Sequence, residues 1–167
     1  PYVATMLGLK QVYPGRYDPE FLVELWRKEK VTFSHCVPTI LQMLLNAKGA
    51  QETDFGGWKI VIGGSALNRT LYETAKARGI QLTAAYGMSE TGPLVSCALL
   101  NDELMAGTED ERTTYRIKAG VPGPLVEAAI VDAEGNFLPA DGETQGELVL
   151  RAPWLTGSYL HEPEKGA

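Results

Sequence analysis

Lys59-Ile60-Val61-Ile62 is a short apolar run halted at once by Gly63-Gly64-Ser65. The same grammar returns in Leu82-Thr83-Ala84-Ala85, which runs into Tyr86-Gly87-Met88-Ser89-Glu90-Thr91-Gly92-Pro93. Each reads as a buried strand that ends in a loop of small and polar residues. Between the two lies a helix: Asn68 is placed to cap its start, and Lys76 and Arg78 precede Gly79, a suitable left-handed residue for its close. Toward the N-terminus, Val31-Thr32-Phe33 is a further β-type run that ends at Ser34-His35-Cys36. Pro38 then opens a helix with Ile40, Leu41, Leu44 and Leu45 as its buried stripe. Earlier still, Asp18-Pro19-Glu20 supplies an N-cap, a first-turn proline and an acidic first turn. In the helix that follows, Phe21, Leu22, Leu25 and Trp26 share one face, and Arg27, Lys28 and Lys30 complement the negative C-terminal end.

This alternation of strand, helix, strand, helix, strand predicts an α/β fold, a parallel βαβαβ sheet with right-handed crossovers and flanking helices. Ligands of such sheets bind outside the carboxyl ends of the strands. Chain order alone assigns three polar clusters to those ends: Ser34-His35-Cys36, Gly63-Gly64-Ser65 and the segment from Tyr86 to Glu90. After Leu100 the pattern changes. Asn101 to Arg116 reads as a solvated helix-and-loop connector, and Gly120-Val121-Pro122-Gly123-Pro124 is turn-rich. Leu125 to Val131 alternates in part, Glu134-Gly135-Asn136 and Asp141-Gly142 read as turns, and Gly146 to Arg151 reads as another strand. The expected organisation is an α/β nucleotide- and acyl-binding subdomain over residues 1–116 and a small antiparallel β lobe over residues 117–167, each of them partial.

The chain has 167 residues, 44 % of them apolar, which is enough to build a core and argues against a disordered tail. Fifteen basic against twenty-one acidic residues give a net charge of −6, so nucleic acid, which demands a basic face, is excluded as a partner. The longest uncharged stretch, Val31 to Ala47, is interrupted by Ser34, His35, Pro38, Gln42 and Asn46, and no transmembrane segment is present. Cys36 and Cys97 match no metal or redox spacing, and they read as reduced thiols of a cytoplasmic protein. The chain opens Pro1-Tyr2-Val3-Ala4-Thr5-Met6-Leu7-Gly8, like the middle of a helix, and it stops at Pro163-Glu164-Lys165-Gly166-Ala167 just after a strand-like segment. It is therefore expected to be an internal piece of a longer protein, with self-association through apolar surfaces exposed by truncation.

Gly63 and Gly64 leave a strand end bare of side chains, which suits either a flat ligand lying against backbone or an ordinary tight turn. Tyr86 to Glu90 offers a ring for stacking, a glycine for close approach, the Ser89 hydroxyl for a phosphate oxygen and the Glu90 carboxylate. Carboxylate together with phosphate oxygens is the usual way to hold Mg²⁺. The competing reading makes Tyr86 a rim aromatic and Ser89 and Glu90 a helix-capping pair. Gly87-Met88-Ser89-Glu90-Thr91 is one residue from the G-x-S-x-G nucleophile elbow, but Thr91 stands where glycine is needed. His35 and His161 are the only bases, neither has a placed acid, and His35 reads as a core or pocket-lining residue, so a serine hydrolase is disfavoured. The G-x-x-x-x-G-K-[ST] and G-x-G-x-x-G loops are both absent.

Tyr86-Gly87-Met88-Ser89-Glu90 resembles the Y-G-x-[ST]-E signature of the adenylate-forming enzymes, which include acyl- and aryl-CoA synthetases, luciferases and peptide-synthetase adenylation domains. Val31-Thr32 with Val37-Pro38-Thr39, Val61-Ile62-Gly63-Gly64-Ser65-Ala66, and Gly120-Val121-Pro122-Gly123-Pro124 with Gly146-Glu147-Leu148 and Gly157-Ser158-Tyr159 agree with other family segments in order and spacing. The opening eight residues and Pro153-Trp154-Leu155-Thr156-Gly157-Ser158-Tyr159 are most similar to medium- and long-chain fatty-acid–CoA ligases. The resemblance implies a parent that converts a fatty acid, ATP and CoA into acyl-CoA, AMP and pyrophosphate through an acyl-adenylate, with Mg²⁺. It implies that Gly63, Gly64 and Ser65 flank adenine and acyl group, that Tyr86 stacks on adenine beside Gly87, that Ser89 contacts phosphate and that Glu90 binds the metal, Ser89 and Glu90 being the catalytic pair. Val37, Pro38, Met88, Thr91 and Gly92 would border the acyl channel. Other adenylate-forming enzymes, such as an aryl-CoA ligase or an amino-acid adenylation domain, and a non-catalytic nucleotide-binding module are the alternatives. The family's phosphate loop, ribose-binding aspartate and lid lysine have no counterpart in the chain, so the isolated piece is expected to be inactive. Ser89 stands where threonine is commoner, and keeps the hydroxyl.

Overall fold

The computed structural model describes residues 2–162 and residue 164; Pro1, Pro163, Lys165, Gly166 and Ala167, which entered the reading of the two ends, lie outside the described residues. The chain divides into two compact units, Pro1–Thr83 and Ala84–Ala167. The first contains α1 (Tyr2–Met6), α2 (Pro19–Glu29), β1 (Phe33–Cys36), α3 (Pro38–Asn46), β2 (Lys59–Ile62), α4 (Arg69–Ala77) and the start of β3 (Gln81–Tyr86). The second contains the end of β3, β4 (Ser96–Cys97), α5 (Asp102–Ala106), α6 (Glu109–Arg116), β5 (Val121–Pro122), β6 (Glu127–Val131) and β7 (Glu147–Arg151). Five strands form a mixed sheet in the order β1-β2-β3-β4-β5, and β6 and β7 form an antiparallel sheet of their own, so the fold is α/β with a small antiparallel addition. Among the described residues no helix is long and apolar enough to cross a membrane.

In the first unit, the Asp18 carboxylate accepts the Phe21 N–H at 2.8 Å and starts α2 beside Pro19. Lys30 closes that helix in a left-handed conformation (φ 52°), and the Val31 N–H returns to the Trp26 carbonyl. That bond consumes Val31, which the sequence pattern places in the strand, so β1 begins only at Phe33. Ser34-His35-Cys36 consequently lies inside the strand rather than beyond its end, in parallel register with Ile60, Val61 and Ile62. The Ser34 hydroxyl accepts the Trp58 indole N–H at 3.0 Å. His35 is exposed with its ring edge against Phe33, not in a core or pocket as its apolar neighbours suggest. Leu41, Leu44 and Leu45 are buried on α3 as expected, with Ile40 only partly so. Asn68 caps α4 through the Leu71 N–H at 2.8 Å, and Gly79 takes φ +81° just past its end.

The core of this unit is built on three aromatic rings. Phe55, fully buried, lies 4.8 Å from Trp26 and 5.5 Å from Trp58 between ring centroids. Around it the 48–53 turn is tied to α2: the Glu20 carboxylate accepts the Lys48 and Gly49 N–H groups at 2.7 and 3.0 Å, and the Arg27 guanidinium donates to the Gly49 carbonyl at 2.8 Å.

In the second unit, β4 pairs antiparallel with β3 (Ala85 opposite Cys97, Tyr86 opposite Ser96) and with β5 (Ser96 opposite Pro122, Cys97 opposite Val121). Ser96-Cys97 carries no strand pattern in the sequence, and Val121-Pro122 reads there as part of the lobe. Strands of two residues are too short to show alternation, and their place is set by bonds distant in sequence, such as Ser96 Oγ to the Ala119 carbonyl at 2.9 Å. Thr108 and Glu111 form a reciprocal capping box at the start of α6. The β lobe contains a turn closed by Asp141. Its carboxylate accepts the Thr144 and Glu143 N–H groups at 2.7 and 2.9 Å and the Thr144 hydroxyl at 2.7 Å.

Removing the central ring tests the aromatic core: Phe55→Ala is expected to cost about 3–5 kcal/mol in urea unfolding, whereas Phe137→Ala on the surface changes stability by less than about 0.5 kcal/mol. The Asp141 turn sets an acid limb. Chiefly the Thr144 N–H, and then the Glu143 N–H, hold this carboxyl down from 3.8 to about 2. The folded chain thus binds this proton more weakly than the unfolded chain. The contribution is complete above the ordinary aspartate value and is lost as pH falls toward about 2. Asp141→Asn is expected to flatten that part of the profile of urea midpoint against pH.

Candidate functional site

The first cluster stands where β1 and β2 end. The ladder continues one step past β2, with the Gly63 N–H on the Cys36 carbonyl at 3.3 Å. Gly64 then turns away with φ +82°, a conformation that favours glycine, and a Cβ there would lie 3.1 Å from Val37 Cγ1. Gly64 and Ser65 are exposed, and so is Val37, while Pro38 is buried at the first turn of α3. The structure thus brings together Val37 and Gly64, two residues that the family resemblance would set beside the acyl group. Cys36 beside them is a free thiol pushed up to about 11 by burial, and burial raises Cys97 as well. Burial thus disfavours the thiolate form of both.

The second cluster follows β3. Tyr86, half-buried, accepts the Val95 N–H on its carbonyl at 2.9 Å, so the chain folds straight back after the strand. A Cβ on Gly87 would sit 1.8 Å from the Pro93 carbonyl oxygen. The close approach this glycine allows is therefore made by the chain itself. Ser89–Thr91 form a single turn of 3₁₀ helix. The Thr91 side chain, 3 % exposed, closes the turn by accepting the Met88 N–H at 2.7 Å and donating to the Met88 carbonyl at 3.0 Å. Met88, Ser89 and Gly92 are left exposed at the surface.

The groups that hold this turn, two side chains and one backbone amide, come from far along the chain, and sequence reasoning gave them no role. Trp154 Nε1 donates to the Thr91 carbonyl at 3.0 Å, the Thr156 N–H donates to the Glu90 carbonyl at 2.9 Å, and the Tyr159 hydroxyl donates to Glu90 Oε1 at 2.9 Å. The Glu90 carboxyl is held below the usual glutamate range, first by its own backbone N–H and then by the Tyr159 phenol. The same hydrogen bond to the carboxylate raises the Tyr159 phenol, which holds its own proton more tightly. Separations of 63 to 69 residues explain why no local pattern announces these contacts. The one signal was the similarity of the Pro153 to Tyr159 segment to a known family.

Chemically, the second cluster presents an ionised carboxylate and a free-standing hydroxyl side by side on a fixed turn. Among the described residues no group of three or more His, Cys, Asp or Glu is gathered that would hold a metal alone. A cation at Glu90 therefore has to draw its remaining ligands from phosphate and water, and a hard ion such as Mg²⁺ fits one carboxylate on those terms. A cleft of about 360 Å³ elsewhere in the first unit is lined by Asp18, Glu20, Phe21, Arg27 and Gly49. Asp18, Glu20 and Arg27 there are already engaged by the α2 cap and the 48–53 turn.

Residues 1–160 match the family model described as AMP-binding enzyme. The long-chain-fatty-acid–CoA ligase of Thermus thermophilus is 39 % identical over 98 % of this chain and 31 % of its own length. The 3-methylmercaptopropionyl-CoA ligase of Ruegeria pomeroyi is 36 % identical over 96 % of this chain and 30 % of its own length. The chain therefore spans about a third of the length of the curated relatives it matches. Among solved structures, the N-terminal domain of FACL13 from Mycobacterium tuberculosis has the same fold, with a TM-score of 0.81 at 19 % identity over 98 % of this chain and 39 % of that one. With the Y-G-x-S-E turn in place after its strand, this chain belongs to the AMP-binding enzyme family, the adenylate-forming enzymes that include the acid–CoA ligases.

Proposed function

We propose that the protein carrying this chain is an ATP-dependent acid–CoA ligase whose acid is a fatty acid. A carboxylate oxygen attacks the α-phosphorus of ATP, and pyrophosphate leaves. The CoA thiol then takes the acyl carbon, and AMP leaves with the bonding electrons. The observation that carries this reading is the 39 % identity to the Thermus long-chain ligase across nearly the whole chain, taken with a half-buried Glu90 whose carboxyl is held below the usual glutamate range.

In this reading Gly63, Gly64 and Ser65 flank adenine and acyl group, Tyr86 stacks on adenine beside Gly87, and Ser89 donates its hydroxyl to a phosphate oxygen. Glu90 is the metal ligand. Mg²⁺, when bound, offsets the charge that develops on the transferring phosphate. Val37, Pro38, Met88, Thr91 and Gly92 border the acyl group. Thr91 would do so through its backbone, since its side chain is spent inside the turn. Two free, partly buried thiols support a reducing, cytoplasmic setting.

The 36 % identity to a ligase of 3-methylmercaptopropionate supports a second reading, in which the acid is short. Carboxylate-dependent exchange of labelled pyrophosphate into ATP separates the two. In the full-length protein, long-chain fatty acids are expected to drive exchange better than short thioether or aryl acids, and exchange with none of them would overturn the ligase assignment. Glu90→Gln is expected to lower that exchange by about 100-fold or more and Ser89→Ala by about 10- to 100-fold, with the thermal midpoint of each variant unchanged.

A further inference from the structure

The segment from Trp154 to Tyr159 makes three hydrogen bonds to two consecutive residues, Glu90 and Thr91. Two of the three satisfy backbone carbonyls of a 3₁₀ turn, and a structural strap needs no more than those. The third goes to the tip of a side chain. Tyr159 is 46 % exposed, so burial does not force its hydroxyl to find a partner. The bond to Glu90 Oε1 thus adds to the hold of the residue's own backbone N–H on this carboxylate, and it engages one named oxygen, Oε1.

We infer that Tyr159 is a positioning residue that makes Glu90 a one-oxygen metal ligand; this rests on the assignment of Glu90 to the metal. A carboxylate with one oxygen held by a phenol O–H meets a cation through the other oxygen alone. Small ions of octahedral habit accept that arrangement, whereas Ca²⁺ takes more ligands at longer distances and readily accepts both oxygens of one carboxylate. Tyr159 therefore sets which divalent ion the turn favours. Outer hydrogen-bond partners of metal ligands have effects of this kind, about 10- to 100-fold in affinity.

The test uses the full-length protein saturated with AMP. Bound Mn²⁺ is followed by the loss of the free-Mn²⁺ paramagnetic resonance signal, and Ca²⁺ is titrated in as competitor. Tyr159→Phe keeps the ring and removes the hydroxyl. It is expected to weaken Mn²⁺ and to shift the Mn²⁺ to Ca²⁺ preference about 10-fold toward Ca²⁺. A purely structural tyrosine would weaken both ions alike or neither, so an unchanged ratio overturns the inference. Glu90→Gln distinguishes the underlying reading: it is expected to abolish binding of both ions. Full Mn²⁺ affinity in Glu90→Gln would remove Glu90 as ligand and the role of Tyr159 with it.

Discussion

An ionised carboxylate on a short surface turn has to be held in place without a rigid element beneath it. A single 3₁₀ turn leaves most of its own carbonyls unanswered and lets its side chains swing. In the second unit that constraint is met by a segment more than sixty residues downstream, whose indole, amide and phenol answer the Thr91 carbonyl, the Glu90 carbonyl and the Glu90 carboxylate in turn. The immediate neighbours do the rest. Gly87 lets the Pro93 carbonyl pass where any Cβ would collide, and Thr91 closes the turn with a fully buried hydroxyl. The chemistry assigned to Ser89 and Glu90 depends on this scaffold rather than on the loop sequence alone.

The elements legible in the sequence are those whose causes are local. Asp18 and Asn68 cap the helices they seem placed to cap, because an N-cap bond spans three residues. Gly79 takes the left-handed conformation its position calls for, and Leu41, Leu44 and Leu45 form the inward stripe of α3. What could not be read depends on contacts across the chain. Val31 looks like the start of a strand by composition, but its N–H is taken by the Trp26 carbonyl as α2 closes. Ser34 and His35 look like residues of a polar strand end, yet they lie within β1, with the Ser34 hydroxyl on a core tryptophan. Phe55, with no periodic neighbours, gives no hint that it is the centre of the aromatic core.

The site residues divide in the same way. That Tyr86-Gly87-Met88-Ser89-Glu90 forms a loop of small and polar residues directly after a strand was legible, because the apolar run of β3 stops at Tyr86. What each one touches was not. Gly87 and Gly64 look alike in sequence and differ in space: the first is required by the chain's own Pro93 carbonyl, whereas a Cβ on the second would meet only the Val37 side chain. At Gly87 the obstacle to a side chain is backbone, which cannot give way; at Gly64 it is a valine methyl, and the left-handed φ of +82° is the stricter demand for glycine.

That contrast bears on how the charges are used. The chain carries a net charge of −6, so an anionic nucleotide meets a repulsive background unless a cation intervenes. A carboxylate directed at a phosphate would by itself add to that repulsion. In the proposed function a metal ion lies between carboxylate and phosphate, and that requires Glu90 to stay ionised and directional. The backbone N–H and the Tyr159 phenol that hold its carboxyl below the usual range meet the first requirement, and the same phenol meets the second. A single hydrogen bond from an exposed tyrosine thus serves both the protonation state and the aim of the group on which the proposed chemistry turns.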